Sequence, residues 1–513
     1  MHKILTAAAA LSLLLLSGNT QAGTRLNVVI QPEPPSLMMG IVQNGPTQMV
    51  GGSIYESLLR YDKTLKPQPS LAKEWSVSAD GLTYTFKLHE NVKWHDGKPF
   101  SAEDVVFSAD KFLRETNPRL RFTLDYVESI TAPDANTVVF KLKRAFGPFL
   151  GIFEAGTMPI VPKHIYEGTD YKNNPMNNTP IGTGPYKLKE WKKGAYIHFV
   201  KNEDYYLPGK PAIDEIYWQI IPDAASRAVA FETGKVDVLP GGSVENFDVA
   251  RLAKLPGICS TTAGWEYFSP LAWLWFDHRK PPMNDKRFRQ AVMYAMDREF
   301  IRDVVWNGFG KVATGPVASS TRFYTTDVPK YPHDPAKAKA LLKEIGYDGK
   351  PLRLLPTPYG ETWQRWAEVV KQNLAEVGIP VEVVASDVAG WNQKISTWDF
   401  DLASTYLYQY GDPALGVSRT YLSTNIAKGS PWNNVAGYVN PKVDELFTKA
   451  AASPDDVERQ KLYTEVQKIL VEDVPVAWGL ELEFPTLYRC KLKDFITTAI
   501  GVNDGFRDAT LDK

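Results

Sequence analysis

The residues that could do covalent chemistry are few and badly spaced for it. A nucleophile elbow needs Gly-x-Ser-x-Gly, and Gly51-Gly52-Ser53-Ile54-Tyr55 lacks the last glycine. No His-Glu-x-x-His pattern occurs, and the histidines after His2 are scattered. His89 and His95 stand across the end of a predicted strand, a poor spacing for two metal ligands, and His95 reads as structural. Asp399 and Asp401 alternate along another predicted strand and so share a face, as an acid–base pair would, but the segment reads as scaffold. No glycine loop of the phosphate-cradling kind is present. The expectation is therefore no catalytic residue, no metal and no cofactor. What remains is recognition: 61 aromatic side chains, mostly core, some able to line a cleft and stack on a solute. Two other classes stay open here, a secreted hydrolase and a binding protein with a second role as chaperone or sensor partner.

The first 22 residues have the layout of a secretory signal peptide. Lys3 is the basic start, residues 4–16 form an apolar run interrupted by Thr6 and Ser12, and Thr20-Gln21-Ala22 supplies small residues at a cleavage site. The run is too short to span a bilayer. No cysteine precedes Cys259, so no lipid anchor is expected, and an exported, unlipidated protein points to the periplasm. With 58 basic against 59 acidic side chains the charge is balanced, which argues against nucleic acid or an anionic membrane as partner. Cys259 and Cys490 are far apart in the chain; an exported protein can form a disulfide, and the spacing leaves open both that bond and two free buried thiols, the preferred reading.

The elements mix strands and helices throughout, an α/β pattern. Residues 26–30 read as a strand stopped by Pro32, and 48–59 as a helix. At Leu82, Tyr84, Phe86 and Leu88 apolar residues alternate with polar ones, the mark of a half-buried strand between the turn dipeptides Asp80-Gly81 and Asp96-Gly97. Ser101 with Asp104 forms a capping box, and residues 137–142 are a strand. Further on, Asp334-Pro335 opens a helix, residues 363–377 form another, and strands follow at 380–384 and 399–407. Arg287 and Arg289 lie two apart near a helix start, so one is expected in an ion pair and the other in solvent.

Several segments, taken in order, carry a resemblance: Ile54-Tyr55-Glu56-Ser57-Leu58; Leu71-Ala72-Lys73-Glu74-Trp75; Trp94-His95-Asp96-Gly97-Lys98-Pro99-Phe100 with Ala102-Glu103-Asp104-Val105; Pro180-Ile181-Gly182-Thr183-Gly184-Pro185-Tyr186; Phe231-Glu232-Thr233-Gly234; Asp285-Lys286-Arg287-Phe288-Arg289; and the helix opened by Asp334. The chain resembles the family 5 extracellular solute-binding proteins, receptors of dipeptide, oligopeptide, nickel-chelate and opine ABC importers. The resemblance implies a periplasmic-binding-protein clamshell with mixed sheets, two large lobes and a smaller inserted one. Residues 23–65 and 181–269 would form lobe I, rejoined by 481–513; 66–180 the inserted lobe II; and 270–480 lobe III. It implies a monomer that closes on a peptide or similar small solute and docks on the permease subunits of the inner membrane. Gly182 and Gly184 are expected to supply backbone freedom where the chain crosses between lobes.

Peptide-binding members of the family place an aspartate three residues before an Asp-Pro turn, where it pairs with the ligand's amine. Here the turn is Gly411-Asp412-Pro413 and the position holds Gln409. A neutral amide cannot neutralise a buried ammonium. Either Asp412 takes the role, or the ligand presents no free amine there, as an opine, oligosaccharide or metal chelate would allow. The resemblance also puts Tyr408, Tyr410, Trp265, Tyr267 and Tyr359 near the cleft. It adds Ser36, beside the place where the family's early Asp-Pro is replaced by Leu37-Met38-Met39.

Overall fold

The computed structural model describes residues 23–512; the signal-peptide reading falls on residues outside them. Three sheets organise the chain, and together with the helices between them they give the α/β clamshell type. The first has seven strands, in the order Ile258–Thr261, Thr486–Arg489, Val238–Leu239, Arg25–Ile30, Glu215–Ile220, Tyr196–Lys201 and Tyr186–Lys192. It is mixed: Arg25–Ile30 runs parallel to Glu215–Ile220, with Arg25 opposite Glu215 and Ile30 opposite Ile220, and the outer pairs are antiparallel. A four-stranded antiparallel sheet comes from one stretch of chain, in the order Ala72–Val77, Thr83–Leu88, Thr137–Leu142, Val127–Asp134. The alternation around Phe86 works as expected here: Tyr84, Phe86 and Leu88 are buried and Lys87 between them is exposed.

The third sheet has six strands, in the order Lys311–Val312, Val476–Glu481, Leu271–Phe276, Leu402–Leu407, Leu352–Leu355, Val381–Val383. Leu271–Phe276 is buried along its whole length, as is Val476–Glu481. Continuous apolar runs, not alternation, are what strands covered on both faces require. The helices Lys286–Ala295 and Glu361–Glu376 pack their apolar faces on this sheet. Two of the N-terminal signals are realised: Ser101 and Asp104 form their reciprocal box, and Asp334 accepts from the Lys337 amide ahead of Pro335.

Four local expectations need correction. The helix expected over 48–59 is Gly45–Gly51. It stops because the backbone of Ser53 and Ile54 is drawn away to accept from the Tyr186 and Gly184 amides at 3.0 and 2.9 Å. Gly182 and Gly184 are glycines for lack of space, not for backbone freedom: a Cβ would sit 1.8 and 2.6 Å from the Ile54 carbonyl oxygen. The strand expected over 399–407 begins at Leu402, since Asp401 accepts from the Arg353 amide at 2.9 Å and Asp399 from its guanidinium at 2.8 Å. That places both aspartates in ion pairs with Arg353. Finally, Cys259 and Cys490 are not free thiols. Their strands are neighbours in the first sheet, the Cα atoms are 5.1 Å apart, and the sulfurs are bonded. No local pattern announces that two segments 231 positions apart will pair.

Arg287 is the expected ion-pair residue, bound to Asp285 and Glu344 at 2.7 and 2.8 Å. Arg289, the other of the two, does not face solvent as one of them was expected to. It is buried, donating to the carbonyls of Met283, Asp473 and Val474, and so satisfies the C-terminal end of the helix Asp456–Asp473.

Candidate functional site

The third sheet and the first meet along a seam built by two crossing segments, residues 265–270 and 482–485. They are tied to each other by Leu482 donating to Pro270 at 2.8 Å and by the Trp265 indole donating to the Phe484 carbonyl at 3.1 Å. The strand Leu402–Leu407 feeds the same place. It is held centrally, antiparallel to Leu271–Phe276 and parallel to Leu352–Leu355, so its C-terminal end is fixed where it emerges. Beyond it the Gln409 amide donates to the Phe268 carbonyl at 2.7 Å. Tyr410 and Gly411 then both take left-handed conformations, with φ of 53° and 71°, which turns the chain before Pro413. Such a conformation is costly for tyrosine and persists only where the surroundings impose it.

Four of the anticipated residues come together there. Tyr408 packs on Phe268 at 5.1 Å between ring centres, Trp265 on Phe268 at 5.8 Å, and Tyr267 edge-on to Tyr410 at 6.0 Å. Tyr406 extends the wall towards Trp363, stacked at 5.5 Å, and towards Tyr359, which is 46% exposed at its rim. The Tyr267 hydroxyl donates to the Gly151 carbonyl at 2.9 Å and also meets the Thr157 hydroxyl, so the wall touches the region that carries the four-stranded sheet. Burial pushes the Tyr406 phenol up to about 12 and that of Tyr408 well above its ordinary value. These hydroxyls are hydrogen-bonding groups, not acids, at any physiological pH.

The other three anticipated residues are engaged by the protein itself. Gln409 is buried; its amide oxygen accepts from the Ala318 amide and the Thr321 hydroxyl at 2.9 and 2.8 Å, and its nitrogen donates to Pro316 at 2.9 Å. Asp412 is buried against Arg459, accepting through both oxygens at 2.8 and 2.9 Å, and caps the turn after it through the Ala414 amide. Ser36 stands apart, donating to the Asn177 carbonyl at 3.1 Å.

Two arginines that sequence reasoning did not single out complete the seam. Arg119, on the helix Pro118–Leu124, lies over the Tyr410 ring at 4.1 Å, and Arg419, on Ser418–Tyr421, lies 5.6 Å from the same ring. Arg119 donates to the Thr157 hydroxyl at 3.2 Å. Arg419 donates to the Gly416 and Tyr408 carbonyls at 3.2 and 3.1 Å. Neither is in an ion pair. Burial lowers the Arg419 pKa, Tyr410 opposes the fall, and Arg119 adds to it. An arginine a few residues past the Asp-Pro turn was the one available hint; nothing local pointed to Arg119.

His95 is structural, one ring nitrogen bonded to the Gly184 carbonyl at 3.0 Å and the other to the Gly182 amide at 3.3 Å. His89 lies on Tyr206 at 5.0 Å. Among the described residues no group of three or more His, Cys, Asp or Glu stands close enough to hold a metal ion, and no helix is long and apolar enough to cross a membrane. A recess of about 270 Å³ lies between Tyr84, Phe146, Leu150 and Pro454, none of them an anticipated site residue.

Residues 66–428 match the model for bacterial extracellular solute-binding proteins, family 5, middle region, well over half of the chain. The chain belongs to this family. A glutathione-binding protein GsiB from Pectobacterium atrosepticum is 30% identical over 438 residues, covering 84% of this chain and 83% of its own. A dipeptide-binding protein from Escherichia coli K12 is 28% identical over 489 residues, 87% of each chain. Among solved structures, the ABC transporter-associated periplasmic binding protein DppA from Helicobacter pylori, in complex with the peptide STSA, superimposes with a TM-score of 0.82. It is 26% identical, over 96% of this chain and 98% of its own. This family 5 receptor is thus the solute-binding component of an ABC importer, and its relatives are receptors of the same kind.

Proposed function

We propose that the protein is a non-catalytic periplasmic receptor that captures a peptide-like small solute along the aromatic seam and presents it to its permease. In this reading residues 1–22 are removed on export, no lipid is attached, and the mature chain acts as a monomer. Lobe I is 23–65, 181–269 and 481–513, the inserted lobe II is 66–180, and lobe III is 270–480. The observation that carries the reading is the wall of Trp265, Tyr267, Tyr406, Tyr408 and Tyr410. It stands where two crossing segments join the first and third sheets and reaches the Gly151 carbonyl beyond them. Hinge closure over such a wall would bury a solute, and preferential binding to the closed form would drive that closure. The glutathione- and dipeptide-binding names of the relatives support a peptide-like solute.

The test is a thermal-shift and calorimetric screen of the mature protein against dipeptides, oligopeptides, glutathione, opines, oligosaccharides and metal chelates. A binder raises the melting temperature by mass action. Saturable binding of one class, weakened at least about tenfold by Tyr408→Ala or Tyr410→Ala, is the expected result. Binding that survives both substitutions would move the site elsewhere. Bond cleavage in any probe would overturn the receptor reading.

A further inference from the structure

The helix Glu361–Glu376 buries Trp363 and Trp366 in the core of the third sheet, and Trp363 also stacks on Tyr406 of the wall. The residue at its capping position is Gly360, held at φ 93°, which has no side chain to offer. The first amides of a helix lack intrahelical partners, and its dipole favours an anion beside them. The anion comes from a distant part of the chain. Glu245 accepts from the Thr362 hydroxyl at 2.9 Å, with the Arg365 guanidinium 4.0 Å away. The fit is close: a Cβ on Gly360 would stand 3.1 Å from the same carboxylate.

Glu245 belongs to a different body. It follows the strand Val238–Leu239 of the first sheet and precedes the helix Asn246–Leu252, to which its side chain makes no capping bond. That helix packs Val249 and Leu252 into an apolar cluster with Val29, Phe231 and Leu239, a core separate from the one around Trp363 and Trp366. Two further contacts cross at the same junction. Arg365 lies over the Phe247 ring at 6.0 Å. Phe309, which directly precedes the third-sheet strand Lys311–Val312 by one glycine, packs on the cluster of the first body. Arg227, on Glu245's own side, is also near, but its guanidinium is taken up by the carbonyls of Ile221, Pro222 and Ser243. Among the described residues the one hydrogen-bond donor to the Glu245 carboxylate is therefore Thr362, across the junction.

We infer that Glu245 is a closure latch: its contact with Thr362 and Arg365 holds the two bodies together without solute, and so scales the affinity for every solute by one factor. The inference goes beyond the receptor reading, because it concerns the solute-free protein and involves no ligand contact. A bond that forms within the protein only when two bodies meet raises the closed share, and a solute that needs the closed form gains by that share. The latch also reaches the wall. Thr362 is the neighbour of Trp363, so the contact fixes the helical turn that backs Tyr406. The Glu245 side chain is 24% exposed and that of Arg365 44%, so water screens the pair and keeps the latch reversible.

The test measures the distance between the bodies in the solute-free mature protein. Nitroxide labels go on Lys254→Cys and Glu376→Cys, two exposed positions, one on each body, with the native disulfide intact. The parent should show a short-distance population. Glu245→Ala and Thr362→Val should each reduce it at least about threefold, and the double variant no further, because both remove the same contact. Calorimetry with reduced glutathione and with dialanine follows the same variants, and any probe that binds the parent should bind each variant more weakly by that same factor. A fall confined to one of two binding probes would make Glu245 a solute contact and overturn the latch. A distance distribution unchanged in both single variants overturns it too, even where the melting temperature drops, since a merely structural contact lowers stability and leaves the distances alone. A parent without a short-distance population has the same consequence. If neither probe binds, the distances decide by themselves; the receptor reading stands or falls separately, on its own solute screen.

Discussion

Two arginine sites border the segment 408–419 and have opposite electrostatics. Arg459 is 1% exposed and bound through one nitrogen to both oxygens of Asp412, with the Phe323 ring beneath it at 4.5 Å. Arg419 follows seven residues after Asp412, is half-buried, and has a ring and two carbonyls but no anion. The first has its anion within the protein, although its Nη1 is buried without a hydrogen-bond partner; the second has no carboxylate in contact. The segment 408–419 therefore has a structural face, which anchors it, and a face turned to the seam. Gln409 and Asp412 belong to the first, and Tyr408, Tyr410 and Arg419 to the second.

The comparison breaks most decisively at Asp412. Asp412→Ala leaves the Arg459 guanidinium buried without its anion, and the expected loss is about 3–5 kcal/mol of stability in urea unfolding. Arg459→Met in the same background should recover much of it, because the stranded charge is gone. If the double variant is no better than the single, the loss came from the cap on Ala414 and not from the charge.

That distinction between the two faces was beyond sequence reading, and the reason is physical. Signals that depend on near neighbours were readable: the Ser101 capping box, the Asp334-Pro335 helix start, the alternation around Phe86 and the strand Thr137–Leu142 all follow from local chain geometry. The aromatic run around Tyr408 and Tyr410 was readable as well, and the fold packs those two rings against each other and Tyr408 against Phe268. What failed depended on partners remote in sequence. The fate of Asp412 is decided by Arg459 on another helix, that of Gln409 by the loop 316–321, and the pairing of Cys259 by a strand that returns from the C-terminus. Arg119 is one arginine among many until the fold sets it over Tyr410.

Glu56 sharpens the comparison from the acidic side. It is 6% exposed and satisfied without a cation in contact, accepting from the hydroxyls of Tyr205, Tyr206 and Thr183 at 2.7, 3.1 and 3.0 Å. Burial raises its pKa to about 7, against the pull of those donors and of Arg60. The folded protein therefore binds more protons at this site than the unfolded chain between its ordinary carboxylate range and pH 7, and stability falls as pH rises through that window. Glu56→Gln removes the ionisation and keeps an acceptor for the tyrosines. Its stability relative to the parent should rise by up to about 3 kcal/mol between pH 5 and pH 8, measured by chemical unfolding across pH. A flat difference would mean that Glu56 stays charged, and that hydroxyls alone can hold a buried carboxylate as well as Arg459 holds Asp412.

His95 provides the smallest and cleanest contrast, a buried base kept neutral. The Gly182 amide donates to Nδ1, so that nitrogen must be an acceptor, and the proton sits on Nε2 facing the Gly184 carbonyl. A second proton would meet the Gly182 N–H head-on. Burial is the larger cause of its low pKa, about 4, and Lys187 adds to it against the opposing effects of Gly184 and Asp96. Here the unfolded chain binds more protons than the folded one between pH 4 and 6.5, so stability rises with pH across that range, the reverse of Glu56. His95→Gln offers the same acceptor and donor without the titration. The parent should lose about 2 kcal/mol relative to this variant as pH falls from 7 to 5, with the two nearly equal at neutral pH. Because His95 clamps Gly182 and Gly184 against Ile54 and lies away from the aromatic wall, solute affinity at pH 7 should be unchanged in the same variant. An affinity loss there would show that the joint between lobes, and not the seam alone, sets how the clamshell closes.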